Sequence, residues 1–314
     1  MLRKKNIIKF ILKFIFSFSL IVILLTYKTS ITETLNILKG ADPFWLLTSF
    51  LLHTLGLLIS AFRWQILIKA QGDQARLSFL AKSYLVGAFF NNFLPSRIGG
   101  DVSRIHDGSR YSQTLLKSSA IILVERLSGI IILLVFASVA SFFRISIARE
   151  IPVVWISLLL GLLGLLLIFI FFTPFTDRLI KKIPDKKFLT KIKSKIFDFK
   201  KIILQYKDKK IALAKTLFWA FLLQINVILH FFLIGKALHL QIQFFDYFIF
   251  IPIVLLIQLI PVTINGLGLR EGSYIEIFEF YGVAPGAAFS FALIDVAFML
   301  IIGLAGGVVY VTRK

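Results

Sequence analysis

Two short stretches of this chain combine proline, glycine and arginine in a pattern suited to holding an anion at a break between helices. The first is Asn91-Asn92-Phe93-Leu94-Pro95-Ser96-Arg97-Ile98-Gly99-Gly100-Asp101-Val102-Ser103-Arg104, and the second is Pro261-Val262-Thr263-Ile264-Asn265-Gly266-Leu267-Gly268-Leu269-Arg270-Glu271-Gly272. Proline cannot continue a helix, and glycine takes conformations closed to other residues. Each stretch therefore reads as a hinge, at Pro95, Gly99 and Gly100 in one and at Pro261, Asn265, Gly266 and Gly268 in the other. Arg97, Asp101 and Arg104 charge the first turn, while Arg270 and Glu271 open the helix that resumes after the second. The planar arginine fork matches a phosphate, and a helix beginning near Gly100 adds free N–H groups. These five charged residues are thus the candidate head-group site, the plainer alternative being an Arg–Asp pair that only seals the turn. Neighbours on a helix point about 100° apart, so Arg270 and Glu271 are expected to have separate partners, with Arg104 or Asp101 the natural candidates.

The two stretches correspond at one fixed offset of 166 positions. Asn92 falls on Gln258, Leu94 on Ile260, Pro95 on Pro261, Ile98 on Ile264, Gly100 on Gly266 and Arg104 on Arg270. Pro, Ile, Gly and Arg repeat in type, which points to an internal duplication rather than two unrelated breaks.

The elements that must carry these stretches lie in lipid. Of the 314 residues 58% are hydrophobic and only 17% charged, with a mean hydropathy of +0.88, too apolar for a wettable soluble surface. Full spans are expected at Phe10 to Thr26, Trp45 to Ile68, Ser119 to Phe143, Pro152 to Thr173, Lys215 to Leu238 and Ala288 to Thr312, each near the ~20 residues that cross a hydrocarbon core. Phe79 to Leu94 and Phe245 to Ile264 are apolar but run into the breaks. The formal charge of +20 sits between apolar runs, the positive-inside pattern of membrane loops, and no nucleic-acid reader motif accompanies it. The N-terminal Arg3-Lys4-Lys5 and apolar run lack a small-x-small cleavage site and read as a retained helix.

Lysines crowd the segment 177–214, which is expected on the cytoplasmic side of the cell membrane together with the N-terminus. A full crossing by Phe79 to Leu94 would put these two landmarks on opposite sides. A re-entrant segment repairs the parity, and the same reading of Phe245 to Tyr281 returns the C-terminus to the cytoplasm. The expected fold is thus an all-α polytopic membrane protein in one domain, 1–314, with about six spans and two re-entrant pairs. Residues 1–145 and 146–314 would be inverted repeats, an architecture that places sites at the midplane. Within the basic segment, Phe188, Ile192, Ile196, Phe199 and Ile203 form one apolar stripe, with Lys191, Lys193, Lys195, Lys200 and Lys201 elsewhere. Residues 186–206 are therefore expected to lie on the anionic inner leaflet.

Other candidates are weaker. Asn92, Glu125, Arg126, Gln258 and Asp295 are polar residues inside apolar runs, functional by default, although Glu125, Arg126 and Asp295 could equally snorkel from helix ends. Arg63, beside Trp64, reads as an interfacial anchor. The chain has no cysteine, its four histidines are scattered, and neither a metal nor a cofactor is expected; adjacent His106 and Asp107 rarely chelate together. Asp107-Gly108-Ser109-Arg110 begins like the CDP-alcohol phosphotransferase motif, but the residues that should follow do not.

The two long motifs, with Arg63-Trp64 and Val124-Glu125-Arg126, resemble the flippase-like membrane domain of bacterial lysylphosphatidylglycerol synthase/flippase proteins over nearly the whole chain. The resemblance implies a lipid-translocating domain without the soluble aminoacyl-transferase part, and hence no enzyme. The expected function is movement of an anionic or aminoacylated phospholipid, or a lipid-linked precursor, between leaflets. The competing readings are a non-transporting partner of a lipid-modifying or glycosyl-transferring enzyme and, disfavoured by the missing motifs, an integral membrane transferase.

Overall fold

The structure, a computed structural model, describes residues 15–93, 99–143, 145, 149, 152–182, 187–259, 263 and 265–313. Among these every regular element is helical. Helix α1, Ile15–Lys28, ends in a π-helical turn, Leu24–Lys28, and α2, Ile31–Lys39, leaves it at 89°. The straight first span expected at Phe10 to Thr26 is thus followed by a sharp corner and a short amphipathic helix that the hydropathy did not separate. Gly286 gives this corner its seat, since a Cβ there would stand 2.7 Å from the carboxyl carbon of Glu33.

Helix α3, Pro43–Ala70, starts where Asp42 accepts from the Phe44 N–H at 2.8 Å and Pro43 fills the first turn, both strong start signals. It is followed by α4, Leu77–Phe93, α5, Gly99–Ser112, and α6, Leu115–Phe143. After α7, Pro152–Phe171, come two basic helices, α8, Pro174–Lys181, and α9, Lys187–Leu204. The chain closes with α10, Lys210–Ala237, α11, Tyr247–Ile257, α12, Leu269–Glu279, and α13, Pro285–Thr312. Five helices, α3, α6, α7, α10 and α13, are long and apolar enough to cross a membrane, and α1 with α2 makes a sixth if the bent pair counts as one. At 17 and 11 residues, α4 and α11 fall short of the ~20 needed.

Segments 43–143 and 210–312 follow the same order: a long helix, a helix stopping at a break, a resumed helix and a second long helix. Their packing is reciprocal. Helix α3 lies on α10; α4 lies on α13 as α11 lies on α6; and α5 contacts α6 as α12 contacts α13. Helices α3 and α10 run antiparallel, with Ser49 against His230, Gly56 against Asn226 and Phe62 against Trp219. Helices α4 and α13 approach closely, for a Cβ at Gly306 would run into the Leu85 carbonyl.

The helix ends gather on two faces. On one, Tyr206 donates to the Leu67 carbonyl, Lys117 pairs with Asp73, and Arg313 pairs with Asp107. On the other, the Asp42 N–H meets the Ala237 carbonyl and Lys28 pairs with Glu276 and Glu279. Helices α8 and α9 belong to the first face. There Lys200 does not join the exposed basic stripe expected of it: it is buried, paired with Asp177 and bonded to Thr176. The apolar stripe of α9 is partly used within the protein, because Ile203 packs with Ala70 and Leu213 on the core around Trp64.

Candidate functional site

The resumed helix α5 starts where two backbones touch. The Gly100 N–H is bonded to Asn91 Oδ1 at 2.7 Å, and a Cβ on Gly100 would stand 2.5 Å from the Gly87 carbonyl. That contact brings the first turn of α5, with Gly99 and Gly100 buried, inside the bundle. Arg104, 6% exposed, pairs there with Glu125 of α6 and lies 3.6 Å from Asp101. Its guanidinium sits 3.8 Å above the Tyr84 ring and 4.7 Å from Trp64, and the Tyr84 hydroxyl donates to Glu125. Arg126 holds Asp101 from the other side. Arg63 donates to the Glu125 carbonyl at 2.8 Å and to Ser128 at 2.7 Å. It is 3% exposed, so the interfacial anchor expected at this position is instead an interior member of the cluster. Glu125 is equally buried and does not snorkel. Among the described residues Arg104 and Arg126 thus face the two carboxylates, while Arg63 rests on a backbone carbonyl and a hydroxyl.

In the second break, Asn265, Gly266 and Gly268 take φ of 50°, 80° and 81°, a left-handed path that glycine follows without strain. The path aims the Gly268 N–H at Glu271 Oε2, 2.6 Å away, which caps α12. Glu271 Oε1 receives Arg270 Nη2 at 3.0 Å and Nε at 3.2 Å. The expectation of separate partners therefore fails: the long side chains of these adjacent residues curl back toward each other. Arg270 Nη1 reaches Asp295 Oδ2 at 3.0 Å and Met299 Sδ at 3.1 Å, so its further partner comes from α13 rather than from Arg104 or Asp101. Asp295, like Glu125 in α6, is buried well inside its long helix.

Asn92 joins the two breaks. Its Nδ2 donates to the Met299 carbonyl at 2.8 Å, and its Oδ1 accepts from Asn265 Nδ2 at 3.3 Å. Arg104 and Arg270 nevertheless occupy different ion clusters with different carboxylates. Gln258, 4% exposed, lines a cavity of about 280 Å³ together with Asp295, His53 and His230. Pro95, Arg97 and Pro261 lie outside the described residues.

Sequence reasoning missed Tyr84, His53 and His230 altogether. The signal was present for the histidines, because both sit inside long apolar runs where any ionisable side chain calls for explanation.

Comparison with known proteins matches residues 10–307 to the family described as the lysylphosphatidylglycerol synthase TM region. The chain is 24% identical to a UPF0104 membrane protein of Pyrococcus horikoshii, covering 94% of this chain and 95% of the relative. It is 25% identical to another of that description from Methanocaldococcus jannaschii, covering 93% and 91%. No solved structure matches.

Proposed function

We propose that this chain, which belongs to the lysylphosphatidylglycerol synthase transmembrane-region family, moves an anionic or aminoacylated phospholipid, or a lipid-linked precursor, between leaflets, with the head group held at the first break. The observation that carries this reading is the gathering of three arginines around Asp101 and Glu125, Arg63 and Arg104 buried and Arg126 partly exposed. Arg104 and Arg126 pair with the two carboxylates while Arg63 binds the Glu125 backbone carbonyl and Ser128, so among the described residues arginines outnumber carboxylates here, a balance that favours an anion. A phosphate supplies that charge and accepts from the arginine forks. An apolar groove of about 460 Å³ between α1 and α12, lined by Leu20, Leu24, Leu269 and Phe280, offers room for part of an acyl chain.

The two halves are read as inverted repeats whose breaks rock against each other at the Asn92–Asn265 contact. Supporting this are the antiparallel course of α3 and α10 and the reciprocal packing of their followers, since equivalent helices that run oppositely imply a two-fold axis in the membrane plane.

The test is a leaflet-resolved lipid assay on purified protein in liposomes. The parental chain should speed transfer of a labelled anionic phospholipid, and Arg104→Lys should slow it by about tenfold or more, the loss expected when a charge-assisted bond worth about 1.5–3 kcal/mol is removed. No acceleration by the parental chain would replace transport with the docking-partner reading.

A further inference from the structure

We infer that His53, His230 and Asp295 form a binding site for a transition-metal ion of the Zn²⁺ class, in the wall of the cavity between α3, α10 and α13. One ligand atom from each residue can be chosen so that all three lie within 4.8 Å of one another. His53 Nδ1 and His230 Nε2 are 3.3 Å apart, and His230 Nε2 is 3.7 Å from Asp295 Oδ1. Ligands bonded at about 2.0–2.1 Å around a tetrahedral centre stand roughly 3.3 Å from each other, so the two rings are already at the required spacing and Asp295 closes the site by moving in toward His53, from which it stands no more than 4.8 Å away.

The surroundings fix the chemistry of the donors. The Ser49 hydroxyl oxygen lies 2.8 Å from His230 Nδ1 while its proton goes to the His230 carbonyl at 2.8 Å, and the Ser49 carbonyl lies 3.0 Å from the same Nδ1. Both neighbours of Nδ1 are thus acceptors, so Nδ1 carries the proton and a neutral ring presents a bare Nε2 to the ion. A backbone carbonyl behind a ligand imidazole is the usual outer support of such a site. Asp295 is oriented likewise, its Oδ2 bound by Arg270 and its Oδ1 turned toward the histidines. Arg270, Glu271 and Asp295 together leave one negative charge, which favours a cation. Gln224, 6% exposed and on the same cavity wall, has its Oε1 buried without a donor among the described residues. That oxygen suits a water held in the fourth coordination position.

The inference is independent of lipid movement. Its test is Co²⁺ titration of the full chain, purified in detergent without a histidine tag and stripped with chelator. One equivalent of Co²⁺ should produce the intense visible absorption of a four-coordinate centre, and Zn²⁺ should bleach it. His53→Gln should abolish the band. Ser49→Ala, which keeps every ligand, should weaken binding by about 10–100-fold. A weak six-coordinate spectrum, or a band unchanged in both variants, would overturn the site. So would the absence of any band, which would mean that the histidine pair holds a proton rather than a metal.

Discussion

Arg104 is ion-paired, hydrogen-bonded and stacked at once, and each role has a separate cost when removed. Lysine would keep the charge but lose both the fork and the planar stacking on Tyr84 and Trp64, so function should fall more than stability. Glu125→Gln is the opposite case. It leaves Arg104 and Arg63 buried with one carboxylate fewer, and breaking a buried pair costs about 3–5 kcal/mol. Thermal unfolding in detergent should show a large drop for Glu125→Gln and a smaller one for Arg104→Met combined with Glu125→Leu, where one charge of each sign is removed and the net charge of the cluster is unchanged. Equal losses would mean that the pair is not the main electrostatic partner of either residue. The place of Arg104 and Arg270 beside helix breaks was legible in the sequence because Pro and Gly marked those breaks. Their partners were not, because Glu125 and Asp295 lie 21 and 25 positions further on and no local pattern says which face of a long apolar helix turns inward. The Arg270–Glu271 contact was hidden for a related reason: the angle between neighbouring Cβ atoms says little about where two long side chains end.

At the scale of elements, hydropathy placed α3, α6, α7, α10 and α13 to within a few residues. It cut α6 and α10 short at their first turns, where Lys117, Lys210 and Lys215 interrupt the apolar run but continue the helix. What hydropathy cannot register is how closely helices approach. In α13, Gly306 admits the backbone of α4, whereas Gly164 in α7 has nothing within 4 Å of an added Cβ. Gly306→Val should therefore cost about 1–3 kcal/mol or more through overpacking, while Gly164→Ala should be neutral or better, given the helix propensity of alanine. Unfolding midpoints of the two variants decide it, and equal behaviour would mean that α4 and α13 do not pack as closely as described. Helix α9 shows the same limit of pattern reading, since its apolar stripe was legible but the burial of Lys200 against Asp177 depends on α8 folding back beside it. Lys195 and Lys201, both exposed, remain to meet a membrane surface. Hydrogen exchange of residues 193–204 should slow in nanodiscs of anionic lipid relative to neutral lipid, and changing these two to Gln should shrink the difference. An identical exchange rate in both lipids would leave α9 a connector only.

An orientation of the whole molecule is predicted by the two faces on which helix ends meet. Helices α8 and α9 stand on the same face as the Leu67–Tyr206, Asp73–Lys117 and Asp107–Arg313 contacts, and the lysines of 181–215 make that face the basic one. Basic loops favour the cytoplasmic side, so the expected arrangement has both turns flanking the first helical break facing the cytoplasm and both turns flanking the second facing outward, as re-entry from opposite sides would require. The absence of cysteine from the chain makes this directly measurable by single-cysteine labelling with a membrane-impermeant reagent. Cysteines at Gln74, Thr114 and Lys195 should react only from the cytoplasmic side, and cysteines at Lys39, Gln241 and Ala284 only from the outside, all six positions being solvent-exposed. The decisive pair is Gln74 with Thr114, which bracket α4 and α5. If they label from opposite sides, that segment crosses the membrane and the two halves cannot be inverted equivalents. If they label from the same side while Gln241 and Ala284 label together from the other, the break carrying Arg104 and the break carrying Arg270 enter the bilayer from opposite leaflets. Their contact through Asn92 and Asn265 then sits between two access routes, one to each leaflet, the arrangement that carrying a head group across the membrane requires.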